Sequence, residues 1–146
     1  YFDLNDCIIA TGSVRDEGTT RQYIPLAYPA VAHYEVVNAL VRSAKLCGKR
    51  AHVGIVQSKD AFYGEAEPEN MPTAPVLDYQ YAAWTKGGVL ASEMESAALF
   101  VVSSIRRVRA GCILNNRGDM NETIQVAVTA VRELIRQDQQ TAQQKE

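Results

Sequence analysis

The chain has 146 residues, of which 47% are hydrophobic and 22% charged, and its formal net charge at pH 7 is -2. This length and composition are those of one ordinary globular domain. The small negative charge excludes a general attraction for nucleic acid or an anionic membrane, so we expect small molecules or other protein chains as partners. No apolar run reaches the roughly 20 residues that a membrane-spanning helix needs.

The first third of the chain predicts a strand, a loop and a helix. Residues 7–11 form a short apolar run that predicts a buried strand. Residues 13–22 are polar and predict a long surface loop, which in a compact domain is usually functional. From 31 to 47 apolar residues recur at helical spacing, and Gly48 suits the left-handed position after the last turn of that helix.

Strand and helix patterns alternate in the remainder of the chain. The elements expected there are a strand over 52–56, irregular chain over 64–75, a short helix over 78–85, a strand over 89–91, a helix over 95–104, a strand over 111–114, a helix over 123–137 and a frayed polar tail over 139–146. This alternation predicts an α/β fold with a mostly parallel central sheet flanked by helices, built as a single domain over residues 1–146.

Three cysteines, Cys7, Cys47 and Cys112, lie far apart in apolar stretches. Their odd number and wide spacing predict buried free thiols in a reducing cytoplasm. No CxxC pair or neighbouring histidine accompanies them, so we expect no metal site.

Acidic residues follow the expected strand 89–91. Glu93 and Glu95 lie between that strand and the start of an apolar helix. In an open α/β sheet, ligands bind beyond the carboxyl ends of the strands, where a carboxylate can accept hydrogen bonds from the two vicinal hydroxyls of a ribose. The alternative is that both acids favour a helix N-terminus through its dipole.

Two further segments have residue types suited to a ligand. Phe62 and Tyr63 follow the expected strand 52–56 and could form a platform for a flat ring, or could anchor a loop as buried aromatics. Arg117 could reach a substrate oxygen, or could lie in a solvated turn. His33 and His52 have no nucleophile or ligand pattern around them, so no catalytic residue is assigned.

Four stretches of the chain, 9–19, 28–32, 57–64 and 91–100, resemble the uridine phosphorylase branch of the nucleoside phosphorylase family. The string Glu-Met-Glu-Ser-Ala at 93–97 is similar to related nucleoside phosphorylases, whereas Phe-Tyr-Gly at 62–64 is typical of the uridine branch. The resemblance implies that a nucleoside and phosphate give a free base and ribose 1-phosphate, with phosphate as co-substrate and no cofactor. It also implies a partly barrel-like sheet and a homo-oligomer, a hexamer assembled from dimers.

The resemblance also implies roles for residues of this sequence. Phe62 is expected to pack against the base and Met94 against the ribose, while Glu95 accepts hydrogen bonds from the ribose hydroxyls. Glu93 is expected to support the same pocket, and Arg117, with Asn116, resembles an Asn-Arg pair near the base.

The chain departs from the family pattern at four places. A phosphate-binding Gly-Asp-Pro loop precedes the matching region in the family, so we expect that part to be absent and the 146 residues to be inactive alone. Glu65 stands where the family has Gln, and Asn70 where the uridine enzymes have Arg. The segment 114–123 is shorter than in the family. Two alternatives follow, a non-catalytic nucleoside-binding or assembly subunit and an enzyme with altered base specificity.

Overall fold

A computed structural model of the chain describes residues 2–144. Its strands and helices, in chain order, are β1 Cys7–Asp16, β2 Ala30–Val31, α1 Tyr34–Leu46, β3 Ala51–Lys59, α2 Tyr63–Ala66, α3 Ala74–Lys86, β4 Ser92–Glu93, α4 Ser96–Arg106, β5 Cys112–Asn115 and α5 Met120–Gln143. Short 3₁₀ turns occupy Thr20–Gln22 and Pro68–Asn70. The predicted α/β fold is confirmed.

The five strands form one mixed sheet with β1 at its centre. β3 runs parallel to β1 along its whole length, and the short β4 runs parallel to β3. The other edge of β1 is shared by β5 in its first half and β2 in its second half, both antiparallel. The carboxyl ends of β1, β3 and β4 therefore meet at one edge of the sheet.

Helices cover both faces of β1, which explains its nearly continuous apolar start. One face packs on α4 and the other on α1 and α5. The buried members of the first cluster include Ile8, Ala10, Phe100 and Val101, and those of the second include Ile9, Ala39, Leu40 and Val126. A strand buried on both sides is expected to be apolar at every position rather than at alternate ones.

A bulge in β1 brings it close to β2. The register with β3 shifts between Ala10 and Gly12, which leaves one extra residue on β1. A Cβ atom added at Gly12 would lie 3.0 Å from the carbonyl oxygen of Ala30, so this approach favours glycine.

The predicted loop 13–22 is replaced by structure that depends on Arg15. β1 continues to Asp16, and the buried Arg15 donates from Nε to Oγ1 of Thr20 at 2.9 Å. Its terminal nitrogens donate to the backbone carbonyls of Ile24, Pro25, Leu26 and Tyr28. A single guanidinium therefore holds the turn that connects β1 to β2.

The helix predicted from residue 31 begins at Tyr34 instead. Residues 30 and 31 form β2, and the amides of Ala32 and His33 donate to carbonyl oxygens of Thr11 and Ala110 at 3.0 and 2.8 Å. These long-range bonds keep the segment extended. The end of α1 is as predicted, since Gly48 has a φ of 67° and follows the last turn.

Other predicted boundaries also change. The strand expected at 89–91 is displaced to Ser92–Glu93, although Leu90 and Ala91 still bond to β3 through their backbones. α3 begins at residue 74 rather than 78, with a proline in its first turn, where a missing amide costs no helix bond. The tail expected to be frayed from 139 is helical to Gln143, and residues 145 and 146 lie outside the described residues.

Over residues 2–144, every helix is too short or too polar to cross a membrane.

Candidate ligand site at the carboxyl edge of the sheet

Two neighbouring parallel strands end together and deliver the predicted site segments to one edge. Ser58 of β3 lies opposite Glu93 of β4 in the register. The chain that follows β3 carries Phe62, and the chain that follows β4 carries Met94. Because both strands point the same way, these two segments leave the sheet on the same side.

Glu93 has a structural role at this edge. One carboxylate oxygen accepts from Oγ of Ser58 and, at 2.6 Å, from Oγ of Ser96. The other oxygen accepts from the amides of Glu95 and Ser96, both at 2.7 Å. These amides open α4 and have no partner within the helix. For Glu93 the geometry thus favours the alternative in which the acid stabilises a helix N-terminus. Its carboxylate supports the site by fixing the start of α4.

Met94 and Glu95 are more exposed than Glu93. Met94 is 39% exposed, and Glu95 is exposed at the first position before α4. The only protein bond that the described residues give the Glu95 carboxylate comes from the amide of Met94, at 3.2 Å. The exposed thioether of Met94 can pack against one side of a sugar. The carboxylate of Glu95, which has one protein hydrogen bond, can accept hydrogen bonds from the sugar hydroxyls.

Phe62 and Glu65 lie on one turn of chain. The amide of Glu65 donates to the carbonyl of Phe62 at 3.1 Å, so the two side chains are three residues apart on the same face of α2. Phe62 is 58% exposed and meets Tyr63 edge to face at 5.5 Å between ring centroids. The aromatic platform predicted from the sequence is therefore exposed rather than buried.

Lys59, which no sequence pattern marked as a site residue, lies at the base of this turn. It is the last residue of β3 and is only 7% exposed. Its Nζ forms an ion pair with Oε2 of Glu65 and donates to Oγ of Ser92 at 2.6 Å. The acid that differs from the family pattern thus has a buried cation as its partner. The sequence did contain a signal for this pair, since Lys59 closely follows the expected strand 52–56 and Glu65 comes six positions later.

A chain of hydrogen bonds ties this pair to the central strand. Ser92 donates to Oε1 of Gln57 at 2.8 Å, and Nε2 of Gln57 donates to Oδ2 of Asp16 at 2.7 Å. Tyr81 of α3 lies close to them. Burial, followed by the carboxylates of Glu65 and Asp16, raises the pKa of Tyr81, so its hydroxyl stays protonated.

Cys112 lies near the acids of the site. Burial, followed by the carboxylates of Glu93 and Glu95, raises the pKa of the Cys112 thiol to about 12. The nucleophile of a cysteine is its thiolate, so this thiol is inert at neutral pH.

Asn70 is held at the surface beyond α2. It ends the turn Pro68–Asn70, and its Nδ2 donates to Oε2 of Glu67 at 3.0 Å. The side chain is exposed and bonded to its own loop. It lies on the chain that leaves Phe62 and Glu65, but it brings no positive charge there.

Arg117 is not brought to this edge. It lies in the turn after β5, whose end at Asn115 pairs with Cys7, the first residue of β1. The other predicted residues follow β3 and β4 near the last residues of β1. Ten strand residues separate the two ends, which is about 30 Å. Arg117 is exposed with a φ of 60°, which fits the solvated-turn alternative, and we leave it out of the site.

Within residues 2–144, no three His, Cys, Asp or Glu side chains gather in a way that could hold a metal ion.

Comparison with known proteins gives one family. The family model described as "Phosphorylase superfamily" matches residues 2–144. The chain is 43% identical to the uridine phosphorylase of Treponema pallidum (strain Nichols) over 146 residues, which cover 90% of the chain and 57% of that protein. It is 32% identical to the uridine phosphorylase of Escherichia coli (strain K12) over an alignment of 153 positions with gaps, which covers 92% of the chain and 60% of that protein.

A relative named for another base is also found. The guanosine phosphorylase of Halorubrum lacusprofundi is 33% identical over 119 residues, covering 82% of the chain and 45% of that protein. The chain thus spans at most about three-fifths of the length of these relatives.

Proposed function

The chain belongs to the phosphorylase superfamily, and on this premise we propose that it forms the base- and ribose-binding part of a nucleoside phosphorylase that acts on a uridine-like nucleoside. The observation that carries the proposal is the common edge of β3 and β4. It delivers an exposed aromatic ring, Phe62, and an exposed thioether and carboxylate, Met94 and Glu95, to the same side of the sheet.

The reaction exchanges one bond at the sugar for another. A phosphate oxygen forms a bond to C1′ of the ribose as the bond from C1′ to the base nitrogen breaks. The bonding pair leaves with the base as an anion, which then takes a proton from water. The protein has to orient phosphate, ribose and base and to stabilise the charge that develops on the base.

Each exposed residue of the edge has a part in this proposal. Phe62 stacks on the base, and Met94 packs on the ribose. Glu95 accepts hydrogen bonds from the ribose hydroxyls, which fixes C1′ relative to the base. Glu93 holds the start of α4 and so positions Glu95.

The test is the product of the reaction. The intact protein, incubated with uridine, should release uracil only when phosphate is present and should form ribose 1-phosphate in equal amount. Uracil with free ribose, or release independent of phosphate, would contradict phosphorolysis. Uridine binding without any cleavage would instead support a non-catalytic binding subunit.

A change of base is the second candidate, because the carboxylate of Glu65 stands where the family pattern has an amide. A carboxylate only accepts hydrogen bonds. A panel of uridine, cytidine, inosine and guanosine separates the candidates, since preferential cleavage of a nucleoside other than uridine would support altered specificity.

We also propose a homo-oligomer in a reducing compartment. The apolar residues on the outer face of α5 are about half exposed and support association. They are Met120, Ile124, Val128, Val131 and Ile135. The three cysteines are free, which suits a reducing cytoplasm. Sedimentation of the intact protein as a monomer at micromolar concentration would rule out the oligomer.

A further inference from the structure

We propose that Lys59 is a positioning residue that fixes Glu65 as a hydrogen-bond acceptor for the base and cancels its charge while the base departs. The inference rests on the proposed function and deepens it. It concerns a residue outside the predicted site.

The burial of Lys59 defines the pair. Its side chain is 8% exposed, whereas that of Glu65 is 41% exposed. An ammonium with so little access to water needs acceptors, and here they are Oε2 of Glu65 and Oγ of Ser92. The ammonium of Lys59 is therefore held within the pair, whereas the side chain of Glu65 is still accessible from the surface.

The position of Lys59 is fixed from below. Ser92 donates to Gln57, which donates to Asp16, so the hydrogen-bond chain spans β4, β3 and β1. Three adjacent strands thus hold the acceptor on which the ammonium rests. An ammonium held in this way fixes in turn the carboxylate oxygen that it binds.

The second oxygen of Glu65 is available. Among the described residues no donor reaches Oε1, and the side chain of Glu65 is partly exposed. The carboxylate is on the same face of α2 as the exposed ring of Phe62. A base stacked on that ring would meet an acceptor, so the substrate class is a nucleoside whose base presents an N–H there, as the imide of uracil does.

Charge gives Lys59 its second effect. An unpaired carboxylate would repel the anion that forms on the base, and Asn70 supplies no compensating cation. Paired with Lys59, the acid presents no net charge. An amide at position 65 would need no such partner, because it is neutral itself.

This difference allows a double-mutant cycle in the intact protein. Lys59→Met should lower kcat for uridine at least tenfold with a smaller change in KM, whereas Lys59→Arg should keep most of the activity. In a Glu65→Gln background, the further change Lys59→Met should alter kcat less than about threefold. The loss should also be smaller for 5-fluorouridine, whose base is the better leaving group.

Each outcome decides a separate question. Absence of phosphorolysis in the parent protein would contradict the proposed function and, with it, this inference. An active parent with equal losses from Lys59→Met in the Glu and Gln backgrounds would overturn the role of Lys59. If Lys59→Met alone does not fold, Glu65→Gln is compared with the double variant, in which neither residue leaves an unpaired charge. A tenfold difference in kcat between these two variants would overturn the role of Lys59.

Discussion

At the scale of single residues, Cys112 shows how a fold sets the chemistry of a side chain. The sequence predicts a buried free thiol, whereas the structure shows a free thiol that is only partly buried and adds two carboxylates nearby. Burial and these acids together raise the pKa of the thiol from 9.0 to about 12. The residue lies near the proposed site but has no thiolate with which to attack a substrate.

This shift predicts a loss of stability in alkali. The folded state keeps the proton of Cys112 up to about pH 12, whereas the unfolded chain releases it near pH 9. The contribution to stability is complete below pH 9 and is lost as the pH rises towards 12. At pH 10.5, this contribution should have fallen by about 2 kcal/mol.

Urea unfolding at pH 8 and pH 10.5 measures the effect. Cys112→Val, which is close in size and has no proton to lose, should show a smaller drop between these two pH values than the parent. Equal drops in both proteins would mean that the thiol ionises alike in the folded and unfolded states.

Residue types alone gave Glu93 and Glu95 the same two alternatives, and only the family resemblance implied a supporting role for Glu93. Glu93 and Glu95 have the same chemistry and lie two positions apart, yet one caps α4 while the other faces solvent. The difference comes from Ser58, a residue of another strand that donates to Glu93. Lys59 was missed although its partner Glu65 follows six positions later, since its other partner, Ser92, becomes visible only when β4 is placed beside β3.

At the scale of elements, the end of α5 depends on an ion pair across the fold. Arg109 donates to Oε2 of Glu35 on α1 at 2.9 Å and also to Asp138 on α5. The hydrogen bond from Arg109 is the main cause that lowers the pKa of Glu35. This link lies directly before the polar stretch that the sequence predicted to be frayed, where the helix continues to Gln143.

Removing this link should loosen the last turns of α5. In Arg109→Met, amide hydrogen exchange over residues 138–143 should accelerate about two- to fivefold, since exposed ion pairs contribute only modestly. Arg136→Met is the matched control, because Arg136 pairs with Glu133 on the same helix. Equal acceleration in both variants would contradict an anchor between elements.

Helix and strand patterns predicted most elements, and the errors have a common physical cause. The start of α1, the two-residue β2 and the position of β4 all depend on hydrogen bonds to β1 or β3 that no local pattern contains. The position of Arg117 depends on the antiparallel direction of β5. A sequence read as alternating strands and helices does not reveal that direction.

At the scale of the whole molecule, the proposed site is a property of the sheet rather than of any one loop. Parallel β3 and β4 bring together segments about 30 positions apart, and the central strand β1 contributes Asp16 to the polar chain beneath them. The edge therefore has an inner layer of hydrogen-bonded polar groups and an outer layer of exposed residues that would face the ligand. An inner layer fixed by hydrogen bonds favours precise orientation of a substrate.

Binding of uridine by calorimetry, compared between the intact protein and its Glu95→Ala variant, tests the central claim most directly. Glu95→Ala should weaken binding about 5- to 150-fold, the equivalent of about 1–3 kcal/mol for the lost hydrogen bonds to a charged acceptor. Asp78→Ala removes an exposed carboxylate of α3 and should bind as the parent does. Parent-like affinity in Glu95→Ala would contradict a nucleoside site at the carboxyl edge of the sheet.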